Sequence, residues 1–189
     1  MKKISIVGKI GSGKTFVGKA FRFPIFNADK EIINIYKKNK DCFKRVKNNF
    51  PKEISSYPLK KKEILSIILS KKKNLKILGK IIHPFVRKKL NIFLDKNRKR
   101  KFVVLDIPLY FENKLNNKND IIIFVDANNK KINNKLKKRP LFNPHLLKRL
   151  KENQISPKRK KKLSTFIVKN DFRGESIKKS IKSIKKILK

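Results

Sequence analysis

Apolar residues follow two rhythms along the 189 residues of this chain, and the two alternate. Short unbroken apolar runs, as in strands buried on both faces, occur at Ile4-Ser5-Ile6-Val7, Phe102-Val103-Val104-Leu105-Asp106, Ile121-Ile122-Ile123-Phe124-Val125-Asp126 and Thr165-Phe166-Ile167-Val168. A shorter run, Pro24-Ile25-Phe26, ends at Asn27-Ala28-Asp29. Between the runs, apolar positions recur three and four residues apart. Ile32, Ile33 and Tyr36 share a helical face within residues 30–49, as do Phe43, Val46 and Phe50. Ile64, Leu65, Ile68, Leu69, Leu75, Leu78 and Ile82 continue that rhythm, and Lys71-Lys72-Lys73 marks a break between two helices. His83-Pro84 is expected to stop the run, with Pro84 starting a new helix that carries Val86, Leu90 and Leu94. Further helices are expected over 129–138, from Asn143-Pro144 to Asn153, and over 174–189. Strands alternating with helices predict a parallel sheet covered on both faces.

Gly8-Lys9-Ile10-Gly11-Ser12-Gly13-Lys14-Thr15 follows the first strand and precedes Phe16-Val17-Gly18-Lys19-Ala20-Phe21, which can open a helix. The pattern G-x-x-x-x-G-K-[ST] between strand and helix is a phosphate-binding loop. Its glycines let successive backbone N–H groups turn toward an anion, and the helix N-terminus adds positive potential. Lys14 is expected to reach the β- and γ-phosphates of a nucleotide, and the Thr15 hydroxyl to hold Mg²⁺. Phe16 needs to offer only its N–H.

The formal net charge of +41 first suggests nucleic-acid binding. Lysine, isoleucine, asparagine and phenylalanine dominate, however, and lysines far outnumber arginines, as AT-rich codons would produce. The charge is also spread over every segment. The expectation is therefore salt-sensitive, non-specific RNA binding rather than a dedicated nucleic-acid site. One cysteine excludes a disulfide framework and a cysteine-based zinc cluster, and the two histidines, His83 and His145, lack metal-ligand spacing. No run reaches membrane-span length and no leader is evident, so a monomeric, cytoplasmic protein is expected.

A phosphate loop serves GTPases, ATPases and small-molecule kinases alike. Asn117-Lys118-Asn119-Asp120 matches the guanine-reading N-K-x-D, and Asp171 to Gly174 matches D-x-x-G. Their order is the reverse of that in GTPases, and the first precedes a strand rather than following one. Both are read as coincidences. The other landmarks are Asn27-Ala28-Asp29, His83-Pro84, the run from Asp106 through Pro108 to Glu112, Lys135 to Arg139 before a proline-broken basic hairpin, Gln154, and Asn170.

With these landmarks the chain resembles the dephospho-CoA kinases over essentially its whole length. The resemblance implies a P-loop nucleotide-kinase-like, three-layer α/β/α fold with a five-stranded parallel sheet. It places the core in about 1–57, 101–127 and 163–189, a helical substrate-binding insertion in 58–100, and a lid in 128–162. It implies phosphoryl transfer from ATP, with Mg²⁺, to the ribose 3′-hydroxyl of dephospho-CoA. Another small-molecule kinase, such as a nucleotide kinase, and a basic RNA-binding protein with a decayed phosphate loop are the rival readings. The chain departs from the family at Asn27, Lys9, Phe16, Lys61, Lys135 and Ser164-Thr165, and lacks a Gly after Asn170. Lysine in place of arginine keeps the charge but loses the bidentate fork.

The resemblance also implies roles. Lys14, Asp29 and Arg139 are the expected catalytic residues, with Asp29 taking the acceptor's proton and Arg139 closing on the transferring phosphate. Asp29 can equally cap a helix beginning at Lys30. Asn27 and Asp29, two apart on an extended chain, would share a face. Gly8, Gly11, Ser12, Gly13, Lys14, Thr15, Phe16 and Asn170 are expected at the nucleotide, Asn170 near adenine. Lys61, His83, Pro108 and Glu112 are expected at the acceptor, although His83 can simply end a helix and Pro108 and Glu112 can simply shape their loop. Thr15 and Asp106 are the expected metal-binding pair.

Overall fold

A computed structural model describes residues 1–140 and 142–188. In chain order these form β1 (Lys2–Gly8), α1 (Lys14–Ala20), β2 (Ile25–Asn27), α2 (Ala28–Lys38), α3 (Lys40–Asn49), α4 (Lys61–Ser70), α5 (Asn74–Lys96), β3 (Phe102–Asp106), β4 (Ile121–Ala127), α6 (Asn129–Lys137), α7 (Pro144–Glu152), α8 (Pro157–Lys162), β5 (Phe166–Asn170) and α9 (Glu175–Ile187). The strands make one sheet in the order β2-β3-β1-β4-β5, and every pair is parallel.

The two faces of this sheet divide the apolar runs by parity, because successive side chains on a strand point oppositely. Ile4 and Ile6 of β1, Val104 of β3, and Ile121, Ile123 and Val125 of β4 turn to one face, against Val17 and Phe21 of the α1 segment and Ile177, Ile181 and Ile184 of α9. Val7, Leu105, Ile122 and Phe124 turn to the other, against Leu90, Phe93 and Leu94 of α5. Both faces are covered, which is why the runs read as continuously apolar. The three-layer expectation holds.

One element departs from expectation. His83-Pro84 does not stop a helix: α5 runs unbroken from Asn74 to Lys96 with Pro84 inside it. A proline within a helix ordinarily costs about 3 kcal/mol through its missing N–H and its ring. Here both flanks are fixed by burial. Leu78 and Ile82 pack into a cluster with α2, α3 and α4, while Leu90 and Phe93 pack on the sheet. Val86, two residues after the proline, borders both clusters. α2 and α3 share a core with α4 and the first half of α5, whose second half packs on the sheet.

Candidate active site

The sheet order sets the site. β1 is central, so the loop that leaves its C-terminal end lies between the ends of β3 and β4. Gly8 takes φ +150°, and a Cβ there would lie 2.8 Å from the carbonyl oxygen of Val125 on β4. Gly13 takes φ +90°, and a Cβ there would lie 2.3 Å from Nδ2 of Asn170. At these two positions only glycine fits both the backbone and the space. The Asn170 side chain, at the end of β5, donates to the Ser12 carbonyl at 2.7 Å and accepts from the N–H of Phe172 at 2.8 Å. Asn170 thus ties β5 to the loop itself. Ser12 Oγ is buried without a hydrogen-bond partner among the described residues.

Lys14 folds back over the loop, donating to the carbonyl of Lys9 at 3.0 Å and of Gly8 at 3.4 Å. Burial lowers its pKa below the usual lysine range. The cations Lys160 and Arg139 push the same way, against the carboxylates of Asp106 and Asp29.

Asp106 ends β3 and is buried. One of its oxygens, Oδ2, accepts from the Thr15 hydroxyl at 2.5 Å and from Asn27 Nδ2 at 2.6 Å. Three residues distant in sequence therefore meet at one carboxylate because β2, β3 and β1 are neighbours. Asn27 is also the cap of α2, its Oδ1 accepting from the N–H of Lys30 at 2.8 Å. This corrects the expectation that Asp29 caps a helix at Lys30 and that Asn27 and Asp29 share an extended face. β2 ends at Asn27, and Asp29 lies in the first turn of α2.

The Asp29 side chain is solvent-accessible, yet protein atoms crowd around it. That partial dehydration raises its pKa, and the negative charge of Asp106 raises it further, against Lys14 and Arg139. Arg139 itself is exposed beyond the end of α6, but its charge acts on both Lys14 and Asp29.

Thr15 and Asp106 offer two hard oxygens to a cation, the donor type that magnesium prefers. Among the described residues, no group of three or more His, Cys, Asp or Glu side chains could hold a metal. A pair of protein oxygens suits magnesium that draws its other ligands from nucleotide phosphates and water.

A model of the dephospho-CoA kinase family matches residues 3–175. The chain belongs to the dephospho-CoA kinase family. It is 30% identical over 186 residues to the dephospho-CoA kinase of Wolbachia pipientis wMel, covering 96% of this chain and 95% of that one. It is 30% identical over 173 residues to that of Bartonella quintana, covering 89% and 88%. In structure it resembles a dephospho-CoA kinase from Campylobacter jejuni, with TM-score 0.64 and 19% identity over 99% of this chain and 97% of that one. A shikimate kinase from Bacteroides thetaiotaomicron shares the fold at TM-score 0.53 and 14% identity, over 99% and 98%. Family membership makes the chain an ATP-dependent kinase.

The remaining expected residues of this dephospho-CoA kinase family chain are distributed as follows. Gly11, at φ +82°, lies beneath Leu136 and Ile132 of α6. Phe16 is exposed, with its ring near Gly174. Pro108 is half-buried in the loop after β3. Lys61 opens α4 and is exposed; His83 is half-buried on α5, where burial and then Arg87 lower its pKa. Among the described residues neither Lys61 nor His83 is bonded to the phosphate loop. Lys135 lies over the ring of Phe172, 4.8 Å from its centroid. The Glu112 carboxylate is not open to a ligand. Its Oε1 pairs with Lys160 Nζ at 2.9 Å and accepts from the N–H of Ile155 at 3.0 Å.

The two coincidental motifs have structural uses. Asp120 accepts from the Tyr110 hydroxyl at 2.6 Å and from the N–H of Asn117 at 2.7 Å, closing a turn before β4. Asp171 accepts from the N–H of Arg173 and the hydroxyl of Ser176, ahead of and within α9. Sequence reasoning gave Lys160 no role, because in the sequence it is one lysine among many.

Proposed function

We propose that this chain transfers the γ-phosphoryl group of ATP to the ribose 3′-hydroxyl of dephospho-CoA, giving CoA and ADP. The observation that carries the reading is the meeting of Thr15, Asn27 and Asp106 at the phosphate loop, with Asp29 one turn away and accessible. The loop amides and Lys14 hold the β- and γ-phosphates, and Lys14 exchanges its bonds to the Lys9 and Gly8 carbonyls for phosphate oxygens. Thr15 and Asp106 would hold magnesium, which when bound would supply charge neutralisation at the phosphates. Asp29 orients the acceptor hydroxyl and takes its proton, and its raised pKa brings it nearer to that task at neutral pH. The bond from the γ-phosphorus to the β,γ-bridging oxygen breaks, a bond to the 3′-oxygen forms, and ADP leaves. Arg139, on the segment 128–162 read as a lid, stabilises charge spread over the equatorial oxygens. The half-buried Pro108 loop and α5 line the acceptor side, with Lys61 and His83 toward the far end of that substrate.

The test is a comparison of kcat/KM for dephospho-CoA, AMP and shikimate as acceptors with ATP held constant. A preference for dephospho-CoA by orders of magnitude is expected. Equal or greater use of AMP or shikimate would replace the proposed acceptor.

A further inference from the structure

α8, with sequence PKRKKK, is basic at five of its six positions, yet only Lys160 is buried. Its side chain is 2% exposed, whereas Lys158, Lys161 and Lys162 face solvent. The Lys160 ammonium lies 2.9 Å from Glu112 Oε1 and 3.4 Å from Gln154 Oε1. The same Glu112 oxygen accepts from the N–H of Ile155, while Oε2 is buried with no donor among the described residues. Three segments therefore converge on one ion pair: the loop after β3, the turn between α7 and α8, and α8 itself, which packs on β1. β1 leads directly into the phosphate loop.

A buried pair of this kind is a poor source of stability. Removing two charges from water is costly, and an apolar pair of similar volume often serves as well or better. An under-bonded carboxylate oxygen adds to that cost. The lysine chemistry is thus better explained by what it does to the site. Lys160 also belongs to the set of charges that act on Lys14.

We infer that Lys160, clamped by Glu112 and Gln154, is a positioning residue for phosphoryl transfer: it fixes the base of the 128–162 segment to β1 and to the loop after β3, and keeps a third positive charge, beside Lys14 and Arg139, at the phosphates. The inference rests on the kinase reading but not on the identity of the acceptor.

The experiment compares Lys160→Met, Lys160→Arg and the double variant Lys160→Met/Glu112→Leu with the wild type. It reads the melting temperature, the KM for ATP and kcat, both with dephospho-CoA and for slow ATP hydrolysis without an acceptor. Lys160→Met strands a buried carboxylate and should melt earlier. The double variant removes that charge and should regain the melting temperature, yet its kcat should stay depressed on the order of 10²-fold with KM for ATP nearly unchanged. Lys160→Arg keeps the cation and should hold kcat within a few-fold of wild type. Recovery of kcat together with stability in the double variant would overturn the inference, as would a Lys160→Arg variant as slow as Lys160→Met. If the single methionine variant does not fold, the double and arginine variants decide. Wild type that hydrolyses ATP but ignores dephospho-CoA would overturn the acceptor instead, and the hydrolysis series would still decide the role of Lys160.

Discussion

Asp29 carries opposing demands on stability and chemistry. Crowding by protein and the charge of Asp106 raise its pKa above that of an unfolded aspartate. The folded state therefore holds this proton more tightly. The stability linked to that proton is fully present below the unfolded pKa and is lost as pH rises through the folded pKa. At neutral pH the ionised carboxylate is a cost to the fold. Asp29→Asn should therefore melt higher than wild type at neutral pH, with the gain fading at acid pH. Its kcat should fall on the order of 10²- to 10⁴-fold, with ATP affinity retained because the loop contacts survive. Wild-type turnover should rise with pH through a midpoint above the ordinary aspartate range. Melting curves at two pH values and steady-state kinetics check both limbs; unchanged kcat would remove Asp29 as the base. Arg139 is exposed and acts on the site through its charge. Arg139→Ala should lower kcat on the order of 10³-fold and move the KM for ATP far less, since it acts on charge that develops in transfer. A pure KM effect would make it a nucleotide anchor.

The junction of the phosphate loop with β5 is where backbone and side chain constrain each other most tightly. Gly13→Ala would place a methyl group on the Asn170 amide and strain a backbone at φ +90°. Asn170 can swing away, but the backbone strain stays, so Gly13→Ala should lose most ATP affinity, measured by calorimetry, and Asn170→Ala should not rescue it. Full rescue would show that the clash, not the loop conformation, matters. The loop itself was legible because its chemistry is contiguous in sequence. The strands were legible too, since burial on both faces leaves unbroken apolar runs such as Ile121 to Val125. The continuity of α5 was not: Pro84 is a local stop signal, overridden by burial of Ile82 and Phe93 on either side. α8 was missed because PKRKKK has no apolar face to give a period. The Thr15–Asn27–Asp106 junction depends on the strand order β2-β3-β1, which no local pattern encodes. Lys160 was one lysine among many, and only its burial sets it apart.

At the scale of the whole molecule, the charge of +41 is barely paired. Among the described residues the ion pairs are Lys72–Glu152, Lys160–Glu112 and Lys161–Asp126, and the first and third are at least partly exposed. Spread charge makes phosphate contacts without a base-reading constellation. RNA binding should therefore be indifferent to sequence and fall steeply between two salt concentrations in competition binding. A preference for one RNA that survives high salt would point to a built nucleic-acid site. At the phosphate loop the cations Lys14 and Arg139 act on the carboxylate of Asp29, and Lys14 also feels that of Asp106. The most direct measurement of what this candidate site does is mass spectrometry with phosphorus NMR after incubation with ATP, magnesium and dephospho-CoA. The account predicts a product heavier by one phosphoryl group, located at the ribose 3′-oxygen, with one ADP formed for each. ADP formed without that product, or a phosphoryl group attached elsewhere, would contradict it.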